Sequence, residues 1–299
     1  MKFNHVVLST VLALSAFGIV GAVTTVNLGN SDGFAVLAGS TLTNTGSSVI
    51  NGDLGLSPGT SVIGFPPGVV NGSKHVTDTL ASQAQTDFTT AYNNVAFQGP
   101  ASTVPTELGG TTKIAGIYNS ASGTFGITGT LTLDAQGNPN AIFIFQTAST
   151  LITAGASEVV LVNGAQACNV FWKVGSSATL GTNSNFKGNI LALTSATLTT
   201  GANVEGRVIA QNGAVTLDTN VITKATCALP PPLPVIQAPV SAPVVTPISN
   251  PISNPSTPVP SFPNTSTVPK EGSIPWNVVL PIGVFAIALL LVVRKKLVA

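Results

Sequence analysis

Charge is scarce in this sequence. Of 299 residues only 7% are Asp, Glu, Lys or Arg, and the formal net charge is +1. No basic patch exists to neutralise a row of phosphates, which excludes nucleic acid as a partner. A substrate drawn in by a strong field is excluded for the same reason. Histidine is scarcer still: His5 lies among the first residues, ahead of the apolar run that begins at Val6, which leaves His75 alone in the rest of the chain. Without a second His no Ser-His-Asp set can be assembled, and His75 reads as a surface or capping residue beside a helix start. The carboxylates Asp32, Asp53, Asp78, Asp87, Glu107, Asp134, Glu158, Glu205 and Asp218 are scattered singly. Polysaccharide-cleaving enzymes need grouped acids and bases, so neither an enzyme nor any catalytic residue is expected. No acidic cluster suits a Ca²⁺ loop. Two cysteines with no nearby His do not complete a metal set, and no cofactor is expected.

What is present is a repeat. Between Cys168 and Thr223, Ala178-Thr179-Leu180 recurs as Ala196-Thr197-Leu198, eighteen residues on. Gly188-Asn189-Ile190-Leu191-Ala192 recurs at the same distance as Gly206-Arg207-Val208-Ile209-Ala210, and Thr216-Leu217 follows Thr197-Leu198 by nineteen. A period this short, rich in β-branched residues and broken by Gly and Asn, predicts one coil of a β-solenoid per repeat. Gly52-Asp53-Leu54-Gly55 parallels Gly188-Asn189-Ile190-Leu191, so coils are expected near both ends of the domain. The 44% hydrophobic content excludes disorder over this stretch.

Residues 1–22 read as a signal peptide, with Lys2, an apolar run from Val6 to Val20 and small residues up to Ala22. Residues 23–227 form the β-domain. Inside it, residues 75–97 place Val76, Leu80, Ala84, Phe88, Ala91, Tyr92 and Val95 at helical spacing. Ser73 or Thr77 is the expected cap, and Gly99-Pro100 the stop. If Ile190 and Val208 point inward, alternation turns Leu191 and Ile209 outward. An outward aliphatic face predicts a cover, and the helix is expected to lie along it.

Cys168 and Cys227 are the only cysteines. In an exported chain an even pair suggests one disulfide, tying the end of the solenoid to an earlier loop, with two buried thiols as the alternative. Residues 228–273 are rich in Pro, Ser, Thr and Asn and read as an extended linker. Residues 274–293 are an apolar run long enough to cross a bilayer. Arg294-Lys295-Lys296 open a short tail, 294–299, expected on the cytoplasmic side. The expectation is a cell-surface domain held outside on one membrane span.

The candidate binding feature is a threonine column. Thr-Leu recurs as Thr41-Leu42-Thr43, Thr130-Leu131-Thr132, Thr150-Leu151-Ile152, Thr179-Leu180-Gly181, Thr197-Leu198-Thr199 and Thr216-Leu217-Asp218. With Leu in the core both flanking positions face outward. Stacked coils would align the first Thr of each in one ladder and Thr43, Thr132, Ile152, Gly181, Thr199 and Asp218 in a second. High β-propensity alone accounts for single threonines, less well for a column. Stiff Thr side chains offering a methyl and a hydroxyl, without charges nearby, suit a surface that orders water in a lattice.

Residues 27–226 resemble the DUF3494-type ice-binding (antifreeze) proteins. The resemblance rests on Val26-Asn27-Leu28-Gly29, on Asn169 through Gly181, on Phe186 through Ala192 and on Gly213 through Asp218. It implies an irregular β-helix of triangular cross-section with a long helix alongside, coils that need not stack in chain order, and one flat β-face that meets ice. Some members carry Thr-Ala/Gly-x-Thr/Asn there; Thr200-Gly201-Ala202-Asn203 fits, and Thr153-Ala154-Gly155-Ala156 fits in part. The expected ice-binding residues are Thr41, Thr43, Thr130, Thr132, Thr150, Thr179, Thr197, Thr199, Thr200, Asn203, Thr216 and Asp218. The partner is the ice crystal and the chain a monomer. The rival is an adhesin for polysaccharide or another cell, for which Tyr92, Tyr118 and Trp172 are few.

Overall fold

The computed structural model describes residues 23–228. The expected signal peptide, linker beyond Ala228, membrane span and tail lie outside the described residues. Within them no helix is long and apolar enough to cross a membrane.

Parallel strands stack coil upon coil in three stacks. Two strands of eight residues, β18 (Asn185–Ala192) and β20 (Asn203–Ala210), serve two stacks each. They pass the corner at Gly188 and Gly206, whose φ values are 113 and 151. A Cβ on Gly206 would collide with the Gly188 carbonyl, so the recurring glycine is a packing requirement as well as a backbone one. The first stack runs β5 (Ser61–Ile63), β2 (Thr41–Thr45), β21 (Val215–Asp218), β19 (Ala196–Leu198), β17 (Ala178–Leu180), β14 (Leu151–Thr153) and β11 (Phe125–Ile127). The second runs β7 (Lys74–Val76), β4 (Asp53–Leu56), β1 (Phe34–Ala38), β20, β18, β16 (Val170–Val174), β13 (Phe143–Thr147), β10 (Gly116–Ser120) and β8 (Ser102–Val104). The third runs β6 (Val69–Val70), β3 (Val49–Asn51), β22 (Val221–Thr223), β20, β18, β15 (Glu158–Val162), β12 (Thr130–Asp134) and β9 (Thr112–Ile114).

Inward side chains form continuous columns. One reads Tyr118, Phe145, Trp172, Ile190, Val208, Val36, Leu54 in register. Trp172 stacks on Phe145 with centroids 4.1 Å apart, and its Nε1 donates to the Lys187 carbonyl at 3.1 Å. Leu54 occupying the same column as Ile190 confirms the parallel between the two Gly-started segments. Tyr118, Trp172 and Tyr92 are all buried, so none of the three lines an outer groove.

The first coil lies against the last. Val36 pairs with Val208, Thr43 with Thr216 and Val49 with Val221. Asn220 fastens this junction: its Nδ2 donates to the carbonyls of Thr199 and Ala202, and its amide donates to Ser48 Oγ. The N-terminal coils thus extend the stack beyond the C-terminal one. The chain returns to the opposite end through a single α-helix, α1 (Thr79–Phe97), which lies over the second stack.

Helix α1 starts later than the periodicity predicts. Val76 is paired into β7 and Thr77 turns with φ 56. Neither Ser73 nor Thr77 caps it; Asp78 does, its carboxylate accepting from the Ala81 amide at 2.8 Å. Leu80 is consequently exposed and Ala81 faces inward. Ala84, Phe88, Ala91, Tyr92 and Val95 then pack on Leu37, Ile117, Ile144, Phe171, Leu191 and Ile209. The expected cover over Leu191 and Ile209 is present. Its edge is sealed by polar contacts: Tyr92 donates to the Val174 carbonyl, Gln146 to that of Val95, and Gln211 to Thr89 Oγ1. Cys168 and Cys227 form a disulfide between the turn Ala167–Asn169 and the chain after β22.

Candidate functional site

Of the three stacks, the second is covered by α1. The third carries Asp134, Glu158, Lys187 and Glu205 within its strands, with Lys187 Nζ 2.7 Å from Glu205 Oε2. The first is uncovered, and the only charged residue within its seven strands is Asp218, at its margin. This stack is the candidate surface.

Its central outward column reads Gly126, Ile152, Thr179, Thr197, Thr216, Thr43, Ile63. The four threonines are consecutive. Alternation makes the ladder: Leu180, Leu198 and Leu217 are buried beside half-buried Thr179, Thr197 and Thr216. Neighbours in the ladder are ~4.8 Å apart, and the flanking outward columns lie ~6.7 Å away along the strands. Two residues earlier in each segment stand Thr124, Thr150, Ser177, Ser195, Ala214, Thr41 and Ser61. Thr41 pairs with Ser61, and Thr150 Oγ1 donates to Thr124 Oγ1 at 3.3 Å. On the other side Thr45 pairs with Asp218, and Thr199 lies one coil further.

The predicted site residues are therefore redistributed. Thr179, Thr197 and Thr216 share one column as expected, and Thr43 continues it in place of Thr41. Thr41 and Thr150 fall in the neighbouring outward column. Ile152 stands in the central one, beside Thr179. Thr130 and Thr132 are on the third stack, paired with Glu158 and Val160, and are not part of this surface. The reason is that Leu-in, Thr-out alternation is the same on every face of a solenoid. Thr200 and Asn203 turn the corner into the third stack: Thr200 Oγ1 donates to Asp218 Oδ2 at 2.5 Å, and Asn203 Oδ1 accepts from the Val221 amide. Asp218 Oδ1 also accepts from Thr219 Oγ1, which draws the carboxylate to the corner. Thr199 Oγ1 donates to the Leu180 carbonyl. Thr45, Thr124, Ser177, Ser195, Ser61 and Ile63 belong to the surface and escape a search for Thr-Leu pairs; counting two residues from each ladder threonine finds Thr45, Ser177 and Ser195, and only strand pairing brings in Ser61, Ile63 and Thr124.

Glu107 ends the surface beyond β11, pairing with Gly126. Burial pushes its carboxyl up, but bonds from the amides of Thr128 and Gly109 and the Thr128 hydroxyl outweigh this and hold it below the ordinary range. Among the described residues no three His, Cys, Asp or Glu side chains gather as a metal set. Arg207, which lines a cavity beside the disulfide, is engaged by the Asp32 carboxylate and carbonyl and by Asn189 Oδ1.

The comparisons agree with this architecture. The Ice-binding-like family model matches residues 36–223. An ice-binding protein of Nostoc sp. (strain HG1) is 48% identical over 244 residues, covering 80% of this chain and 90% of that protein. The crystal structure of an ice-binding protein from an Antarctic biological consortium superposes with a TM-score of 0.67 at 44% identity, over 75% of this chain and 97% of that one. That from the Antarctic ascomycete Antarctomyces psychrotrophicus gives 0.65 at 42% identity, over 67% and 98%. The chain belongs to the ice-binding-like family.

Proposed function

We propose that the protein adsorbs to ice through the seven-strand stack, with Thr43, Thr216, Thr197 and Thr179 at the centre of the contact. The observation that carries this reading is the threonine ladder on the one stack that is neither covered by α1 nor lined by ion pairs. The names of the relatives supply the ligand class. Regular hydroxyls and methyls on stiff β-branched stems hold surface water in fixed positions without pulling it into ionic hydration shells. Ile152 and Ile63 extend the ladder as apolar ends, 49% and 56% exposed. The domain acts as a monomer, with no cofactor and no catalytic step.

The signal-like start, the Pro-rich segment after Ala228 and the apolar run 274–293 support display at the cell surface on one membrane span. In that setting the surface anchors the cell to ice or slows recrystallisation beside it. The test is to produce residues 23–228 and watch single ice crystals in a cooled droplet. Faceted growth, a gap between melting and freezing points and slowed recrystallisation are expected. Rounded, unhindered growth overturns the reading.

A further inference from the structure

We propose that the Cys168–Cys227 disulfide and Gln166 form a force clamp, which keeps tension arriving from the C-terminal segment from peeling apart the strands that build the threonine surface. This rests on the reading of the domain as a tethered ice binder. The closed loop between the two cysteines, residues 169–226, contains every strand from β16 to β22. Thr179, Thr197, Thr199 and Thr216 all lie within it. A pull entering after Cys227 is shared through the disulfide with Cys168, in the turn before β16, so the loop is loaded as one closed body and β22 cannot be peeled from its end.

The exit is fastened a second time at the same place. Gln166 Nε2 donates to the Ala228 carbonyl at 3.3 Å, and its Oε1 accepts from the Ala228 amide at 2.6 Å. Two independent contacts therefore strap residues 227 and 228 to residues 166 and 168, next to Pro230-Pro231-Pro232. Without the strap the first element to meet the pull is β22, three residues held to β20 and β3. Its loss pulls Asn220 from the coil junction, and the next strand back along the chain is β21, which bears Thr216. Unravelling as far as Cys168 frees the whole loop, about 200 Å of extended chain at ~3.3–3.6 Å per residue.

The experiment uses the full chain held on a bead by its C-terminus, seated on a growing ice face and pulled at constant force, before and after a phosphine reductant. Reduction is expected to shorten the attachment severalfold, with extension steps approaching that length before release. Cys227→Ser should behave as the reduced chain does. A second set of beads, attached at Val23, separates load from folding: there reduction should leave the lifetime unchanged. Equal lifetimes before and after reduction from the C-terminal handle overturn the clamp. So does an equal loss from both handles, which would make the disulfide a matter of stability alone. Failure of unloaded, oxidised beads to settle on ice overturns the ice reading beneath it, and the clamp with it.

Discussion

Thr197 has a threonine on either side, Thr179 and Thr216, because the coils stack in register and Leu alternates with Thr along each strand. Single side chains elsewhere set the conditions under which this ladder persists. Asp78 caps α1 through the Ala81 amide. Asp78→Ala is expected to lower the urea midpoint of unfolding. The Ala81 amide, with the His75 bond, also holds the Asp78 carboxyl below its ordinary value, as the Asn30 amide does for Asp87. Groups with lowered folded values contribute stability above their unfolded values and lose it as pH falls through the folded ones. Urea midpoints should therefore be level near neutrality and drop on acidification below the ordinary carboxylate range. Tyr92 works in the opposite direction: burial pushes its phenol up to about 12. The unfolded chain then releases that proton first, so stability falls as pH rises from the ordinary phenol value of 10.0 towards about 12. Tyr92→Phe should flatten this alkaline fall, though it gives up the bond to the Val174 carbonyl.

At the scale of elements, much was legible in the sequence. The eighteen-residue spacing of Gly188 and Gly206 marked the repeat, though not the corner they form, and Ile190 against Leu191 marked inside and outside. The helix was visible in the spacing of Ala84, Phe88 and Val95. Its start was not, because Val76 satisfies the helical period yet is captured by pairing with Leu56. The face of each Thr-Leu pair was not legible either. Thr130-Leu131 and Thr197-Leu198 obey the same alternation, and only the distance from a corner assigns one to the third stack and the other to the first. Register is likewise a property of pairing: Thr41 and Thr43 both point outward, and the contact of Thr43 with Thr216 decides which continues the ladder. The helix cover is itself testable. Phe88 is fully buried between α1 and the second stack. Phe88→Ala should cost about 3–5 kcal/mol in urea unfolding while leaving the ice activity of the remaining folded protein intact, since α1 does not touch the first stack's outer surface.

At the scale of the whole domain, the proposed ice contact rests on how the three stacks differ. One holds the helix, one bears the Lys187–Glu205 ion pair, and one is left uncovered with Asp218 as the sole charge within its strands. That third role is completed by the N-terminal coils: β2 adds Thr43 to a ladder otherwise built from residues beyond Leu151. The surface therefore forms only when the first coil closes on the last, a junction that depends on Asn220. Asn220→Ala removes the side-chain partner of the Thr199 and Ala202 carbonyls and of the Asp218 amide, and the expected result is a loss of about 1–3 kcal/mol together with weaker ice activity. The most direct measurement compares Thr197→Tyr with Thr132→Tyr in residues 23–228, by the gap between melting and freezing points of single ice crystals, after circular dichroism shows both folded. A bulky ring on the first stack should hold the ladder off the ice and remove most of the gap, while the same ring on the third stack should leave it unchanged. Loss with Thr132→Tyr and full activity with Thr197→Tyr would place the ice contact on the third stack and contradict the account.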